Sequence, residues 1–195
     1  MKKSNPLKIV YYPFLKIRAI YLANLISPYV GDSVKVLDVG AGNMFIAREL
    51  VEKKNVKIIG IDVIDMNLTN LPHKVYNGSG FQFKDKNFDV CLFIGVLHHT
   101  NNQIELLNEA KRVSKRVIIF EDIYTCKLEQ SWLKLRDVIG NIPEEPSMDF
   151  ALNFKTDAEW KKIFAELNFE VKESKKIYNL IRLSRHALYV LDVDE

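Results

Sequence analysis

The sequence predicts an α/β fold: a doubly wound, mostly parallel seven-stranded sheet with an antiparallel C-terminal strand and helices on both faces. Three observations predict it. Short β-rich runs alternate with helical patterns through the middle of the chain, the mark of a parallel sheet wrapped by helices. Residues 88–94 form a nearly continuous apolar run, as a strand covered on both faces requires. The chain then ends on two successive β-rich runs, 169–176 and 186–192, which suggest an antiparallel hairpin at the sheet edge.

The elements follow in order. Pro13 suits the first position of a helix that runs to about Ser27 and is stopped by Pro28. Residues 34–39 read as the first strand and 43–53 as a helix; 57–62 and 74–77 are the second and third strands. After the apolar run, Thr100-Asn101-Asn102-Gln103 reads as a capping box, with Gln103 returning to the Thr100 amide. A strand over 115–121 and a helix over 127–139 come next, then an irregular acidic loop, 140–146. Thr156-Asp157-Ala158-Glu159 is a second capping box, opening a helix to about Leu167. Trp132, Trp160 and Phe164 read as core.

A chain of 195 residues fits one domain, 1–195, with 1–30 as an N-terminal helical extension and lid candidate and 31–195 as the core. The net charge of +3 is slight, and only Lys2, Lys3, Lys8, Lys16 and Arg18 gather visibly. That argues against nucleic acid, which asks for a basic stripe, but allows weak contact with a membrane surface through the basic, aromatic N-terminus. Cys91 and Cys126 form no CxxC pair and no zinc-ligand spacing, so no metal is expected. Cys91 reads as a small core hydrophobe. There is no apparent signal peptide and no run of the ~18 apolar residues of a membrane span, so a reducing, cytoplasmic setting is the expectation.

The segment that carries the chemistry is Val36-Leu37-Asp38-Val39-Gly40-Ala41-Gly42-Asn43. A strand ends in an acid, then a glycine-x-glycine turn, then a helix. Ligands of open α/β sheets bind at the carboxyl ends of the strands, and glycines there let backbone approach a ligand. Asp62 ends the next strand about 20 residues after the turn, where a carboxylate accepts both hydroxyls of a ribose. NAD fits poorly: the third fingerprint position is Phe45, and Asp38 would repel a pyrophosphate. S-adenosylmethionine (SAM) carries no phosphate, and its ammonium and sulfonium suit Asp38.

Asp38-Val39-Gly40-Ala41-Gly42 resembles motif I of the class I SAM-dependent methyltransferases, and Asp62 resembles the ribose-binding acid of motif II. Lys84-Asp85-Lys86-Asn87-Phe88-Asp89-Val90 is similar to the family's approach to strand four, and Gly95-Val96-Leu97-His98-His99 to its sequel. Glu105-Leu106-Leu107-Asn108-Glu109-Ala110-Lys111-Arg112-Val113 resembles the next helix of the ubiquinone/menaquinone-biosynthesis type, also called methyltransferase type 11. The resemblance is strong over 34–121. It implies a Rossmann-like fold, SAM as methyl donor, S-adenosylhomocysteine as product, and a cofactor site of Asp38, Gly40, Gly42, Asn43, Asp62, Val63, Asn77, Gly78, Ile94 and Gly95. Two positions depart from the family: Met44 replaces a third glycine, which would narrow the methionine pocket, and Asn77-Gly78 replaces Asp-Gly, leaving an amide carbonyl for the adenine amino group.

His98, His99 and Asp122 are the catalytic candidates. The histidines can supply a general base, or one can bond backbone while the other lines the pocket. Glu121 and Asp122 can orient an acceptor or cap the following helix. Methyl transfer from a sulfonium needs in-line alignment above all. The acceptor implied is small or lipid-like, with residues 140–148 as the substrate-facing loop. The alternatives are a silent binding subunit and an RNA or protein methyltransferase.

Overall fold

The computed structural model describes residues 6–141, 151–179 and 184–193. Helix α1 (Pro6–Ile26) leads into β1 (Lys35–Val39), α2 (Phe45–Lys54), β2 (Lys57–Asp62), β3 (His73–Val75) and β4 (Phe88–Ile94). Then come α3 (Gln103–Val113), β5 (Ser114–Ile123), α4 (Lys127–Asn141), α5 (Asp157–Glu166), β6 (Phe169–Asn179) and β7 (Ser184–Val193).

The seven strands lie in the order β3-β2-β1-β4-β5-β7-β6. Only β7 runs against the rest, pairing antiparallel with both β5 and β6. Arg116 and Asp192 face each other across the β5–β7 register and form a two-pronged ion pair at 2.6 and 3.0 Å. Strand order reverses between β1 and β4, which are parallel neighbours. Such a reversal opens a crevice at the carboxyl ends of those two strands.

Strand residues alternate between two cores. Val36, Val90, Leu92, Ile118 and Val190 face α1 and α2, meeting Leu22, Ile26, Ala47 and Leu50. Leu37, Cys91, Phe93, Val117 and Tyr189 face α3 and α5, meeting Leu107, Ala110, Trp160 and Phe164. Helices thus cover both faces, and Cys91, Trp160 and Phe164 are core as expected.

Three expectations change. Pro13 does not open α1 but lies inside it; the earlier residues continue the helix, and proline removes one hydrogen bond there. Gln103 does not close a box with Thr100: α3 begins on Asn102 with no side-chain cap. Its amide instead donates to the carbonyls of Leu97 (2.7 Å, buried) and Asn153 (3.1 Å, partly buried), acceptors that outcompete a local cap. Trp132 is not core: it is 43 % exposed, while Leu133 carries the buried face of α4. The second capping box does form, with the Glu159 amide donating to Thr156 Oγ1 and the Thr156 amide to Glu159 Oε2. Most of the 140–148 loop lies outside the described residues.

The first glycine turn is seated on β2. A Cβ on Gly60 would lie 2.7 Å from Ala41 Cβ and 2.8 Å from Met44 Cε, so only glycine lets the turn sit this close. Met44 occupies the left-handed region (φ 60) at the start of α2, yet its side chain is 1 % exposed within the α1–α2 core. The thioether therefore fills the core beside β2 rather than the crevice. We expect Met44→Gly to relieve about 1 kcal/mol of backbone strain while losing roughly 3 kcal/mol of buried side chain. The net loss, about 2 kcal/mol, is checked by urea unfolding; a variant more stable than the wild type would refute this account.

Candidate functional site

The turn after β1 closes on β2 through backbone, the Gly40 amide donating to the Ile61 carbonyl at 2.8 Å. Gly40 has φ 67, and a Cβ there would come within 2.5 Å of the Val96 methyls. The turn and the segment after β4 are therefore in direct contact across the crevice.

Asp62 is buried at the end of β2. One carboxylate oxygen accepts from the Gly42 amide at 2.8 Å, the other from Val63 at 2.7 Å. The Ile64 amide adds a longer bond to the oxygen that Val63 meets, at 3.4 Å, while the oxygen bonded to Gly42 keeps a second lone-pair direction for a hydroxyl. Asp38, also buried, has its carboxyl pushed up to about 7 by burial and then by the nearby Asp62 charge. Two buried acids side by side form a negative pocket that favours a cationic ligand.

The other residues expected around a cofactor ring the same strand ends. Asn43 caps the Phe45 amide with its side-chain oxygen at 3.0 Å. Val63 is half exposed beyond Asp62. Asn77 accepts from the Ser79 amide at 3.2 Å, and the Gly78 carbonyl accepts from Asn102 at 2.9 Å, tying the loop after β3 to the start of α3. Ile94 ends β4, and the Gly95 amide donates to Phe120 at 2.7 Å. Above Gly95 lies α1: an Arg18 guanidinium nitrogen is 3.6 Å from where a Gly95 Cβ would stand. Tyr12 meets the Phe45 ring edge-on at 6.5 Å, docking α1 on the start of α2.

The catalytic candidates are gathered in one polar cluster beyond β4 and β5. Glu121 is 0 % exposed. It accepts from the Val96 amide (2.8 Å) and the Leu97 amide (2.7 Å), and pairs with His98 Nδ1 at 2.5 Å. Asp122 takes Arg136 at 2.5 Å and His186 at 2.7 Å. Neither acid caps α4. Asp137, one turn from the end of that helix, lies 3.5 Å from His98 and 3.6 Å from His99.

These contacts set the charges. Burial opposes a proton on His98, but the Glu121 carboxylate and then Asp137 overcome it and push the imidazole up to about 10. Burial and the neighbouring His98 charge push His99 down to about 3. Burial also resists ionisation of Asp122, yet the His186 contact holds it well below the usual carboxylate range. His98 is thus a clamped ion, and His99 is the neutral imidazole.

Sequence reasoning missed Arg136, Asp137 and His186 as site residues. Arg136 and Asp137 sit in an ordinary amphipathic helix, and His186 reaches Asp122 only through the β5–β7 register. No local pattern marks any of them.

Residues 37–118 match the family described as "methyltransferase domain", type 11. No curated protein matches the sequence. Solved structures do match the fold. One is a chain from the Haloferax volcanii complex of the Trm112 methyltransferase activator with a protein described as a methyltransferase (TM-score 0.74, 15 % identity, 94 % of this chain and 93 % of that one). Another is the PH0226 protein of Pyrococcus horikoshii OT3 (0.70, 20 %, 92 % and 91 %). A third is the Burkholderia thailandensis 1,6-didemethyltoxoflavin-N1-methyltransferase with bound 1,6-didemethyltoxoflavin and S-adenosylhomocysteine (0.66, 14 %, 91 % and 79 %). At these identities the likeness is one of fold.

Proposed function

We propose that this chain, whose residues 37–118 match the methyltransferase domain family, binds SAM and passes the methyl group to a small or lipid-like acceptor. The observation that carries this reading is the pair of buried acids at the ends of β1 and β2, one of them bonded to the glycine turn. Asp62 would hold the ribose hydroxyls, Asp38 the cationic groups of the methionine half, and Asn77 and Gly78 the adenine end. The methyl would then point past Gly95 toward the His98–Asp137 cluster. Phe14, Ile17, Ile20 and Tyr21 leave an exposed apolar surface on α1, whose Arg18 overlies Gly95; this supports an apolar acceptor and a covering role for the helix.

SAM, when bound, would supply a sulfonium methyl open to a single displacement, in which an acceptor lone pair would take the carbon as the carbon–sulfur bond breaks and the sulfur becomes neutral. The main demand of that displacement on the protein is alignment. Glu121 and His98 would meet that demand by fixing the 95–99 segment, with neutral His99 and the carboxylate of Asp137 left to orient the acceptor.

Calorimetric titration with SAM, S-adenosylhomocysteine and NAD tests the reading. SAM and its product should bind at about micromolar Kd and NAD should not. Asp62→Ala should lose roughly 100-fold in affinity, as expected for two hydrogen bonds to a charged group. A folded protein that takes none of the three would end the enzyme reading.

A second reading has one observation in its favour. Leu128, Trp132, Leu135 and Ile139 form an exposed stripe along α4, an arrangement that often marks contact with another protein. The Haloferax neighbour comes from a complex with an activator. A stable copurifying partner, together with indifference to SAM, would favour a binding subunit.

A further inference from the structure

We propose that His98, His99 and Asp137 form a divalent metal site of the two-histidine, one-carboxylate type, with Zn²⁺ or a neighbouring first-row ion as its ligand. One ligand atom from each residue falls within 4.8 Å of the other two. His98 Nε2 lies 3.5 Å from Asp137 Oδ1, and His99 Nδ1 lies 3.6 Å from Asp137 Oδ2. Metal bonds of about 2.0–2.2 Å hold ligand atoms roughly 3.0–3.5 Å apart, so a small inward movement completes the set.

The fold presents both imidazoles to one point. Adjacent residues on a strand face opposite ways, but residues 97–99 form a 3-10 turn, and the two rings sit 4.0 Å apart. The ring of Phe154 stacks on His98 at 4.4 Å and holds its plane. His98 Nε2 is buried and points at the Asp137 carboxylate 3.5 Å away, and a bound ion would take the place of the proton that this nitrogen carries in the ion pair. Its other nitrogen is bound to Glu121 at 2.5 Å. A carboxylate on the far nitrogen is the usual outer partner of a metal-bound histidine, fixing its tautomer and orientation.

Charge points the same way. Glu121, Asp122 and Asp137 bring three carboxylates into this region; Arg136 and His186 both go to Asp122, which leaves Glu121 and Asp137 to face the two imidazoles. Three protein ligands leave at least one position open, as catalytic rather than structural sites do. The ligand fitting that position is an oxygen: water, or a hydroxyl of the acceptor, made easier to deprotonate by the ion. The site itself rests on the geometry of three side chains. Its place facing an acceptor rests on the methyltransferase reading.

The test uses the full chain, stripped with a chelator and titrated with Zn²⁺ in competition with a chromophoric indicator, then with Co²⁺ to read visible d–d absorption. The expected result is one equivalent bound, with Co²⁺ bands typical of mixed nitrogen and oxygen ligands. His99→Ala and Asp137→Asn should each weaken Zn²⁺ binding by more than about 100-fold, beyond the 10–100-fold typical of an outer partner, while keeping the wild-type melting profile. SAM affinity, measured in the same variants, should stay unchanged, which separates this inference from the cofactor reading. A folded protein that takes up no stoichiometric Zn²⁺ would overturn the site, as would variants that bind like wild type. In either event the cluster is an ion-pair network only.

Discussion

Glu121→Ala should destabilise the protein by about 3–5 kcal/mol, the cost of leaving buried partners of a charged group without it. The carboxylate is wholly buried and serves two amides and one imidazole. Alanine would satisfy none of them, and each orphaned donor costs on the order of 1–3 kcal/mol. For a domain of this size that is a fall in Tm of roughly 10 °C, read by calorimetry. Glu121→Gln keeps one carbonyl oxygen for the two amides but turns an N–H toward His98, so it should fall between. If the alanine variant melts with the wild type, Glu121 does not hold the 95–99 segment.

Asp38→Asn should have opposite effects on stability and on ligand binding. Burial and Asp62 raise the Asp38 carboxyl from 3.8 to about 7 in the folded state. A group raised in this way makes the folded protein bind the proton more tightly than the unfolded chain does. Stability is therefore lost as pH climbs from 3.8 through about 7, and the loss is complete above it. The asparagine variant lacks this penalty, so the ligand-free variant should be roughly 4 kcal/mol more stable than wild type at pH 8 and about equal to it near pH 4. On the proposed function, the cationic half of SAM meets the charged carboxylate. Wild-type affinity should therefore drop about tenfold per pH unit below 7, and the variant should bind weakly with a flatter profile. Parallel pH slopes for the two proteins would show that Asp38 does not meet the cation.

Much of this molecule was legible from sequence. The strands 57–62 and 88–94 were readable to the residue because each is a short, mostly apolar run that opens after a polar stretch, Lys53-Lys54-Asn55 and Lys84-Asp85-Lys86-Asn87. The glycine turn and the two strand-end acids were equally plain, since β1, its turn, α2 and β2 are consecutive and their spacing is local. The other half was not. Glu121 and the histidines are about 23 residues apart and meet only when β4 and β5 pair. Asp137 and His186 arrive from elements placed by tertiary packing, and nothing in the periodicity of α4 or β7 distinguishes them. Gln103 illustrates the limit differently: its spacing from Thr100 satisfies the capping rule, but two carbonyls brought in by the fold take its amide instead.

The place of β7 also bears on how the chain assembles during synthesis. Residues 184–193 lie between β5 and β6, so β6 is made before the strand that joins it to the sheet. Until β7 emerges, the apolar edge of β5 from Val117 to Phe120 stands open, a template for other chains. Insertion of one strand then closes both edges at once and delivers His186 to Asp122. The polar end of the crevice is therefore completed by the same late event that removes the hazard, and a nascent chain cannot own that end of the site while its sheet is still unfinished.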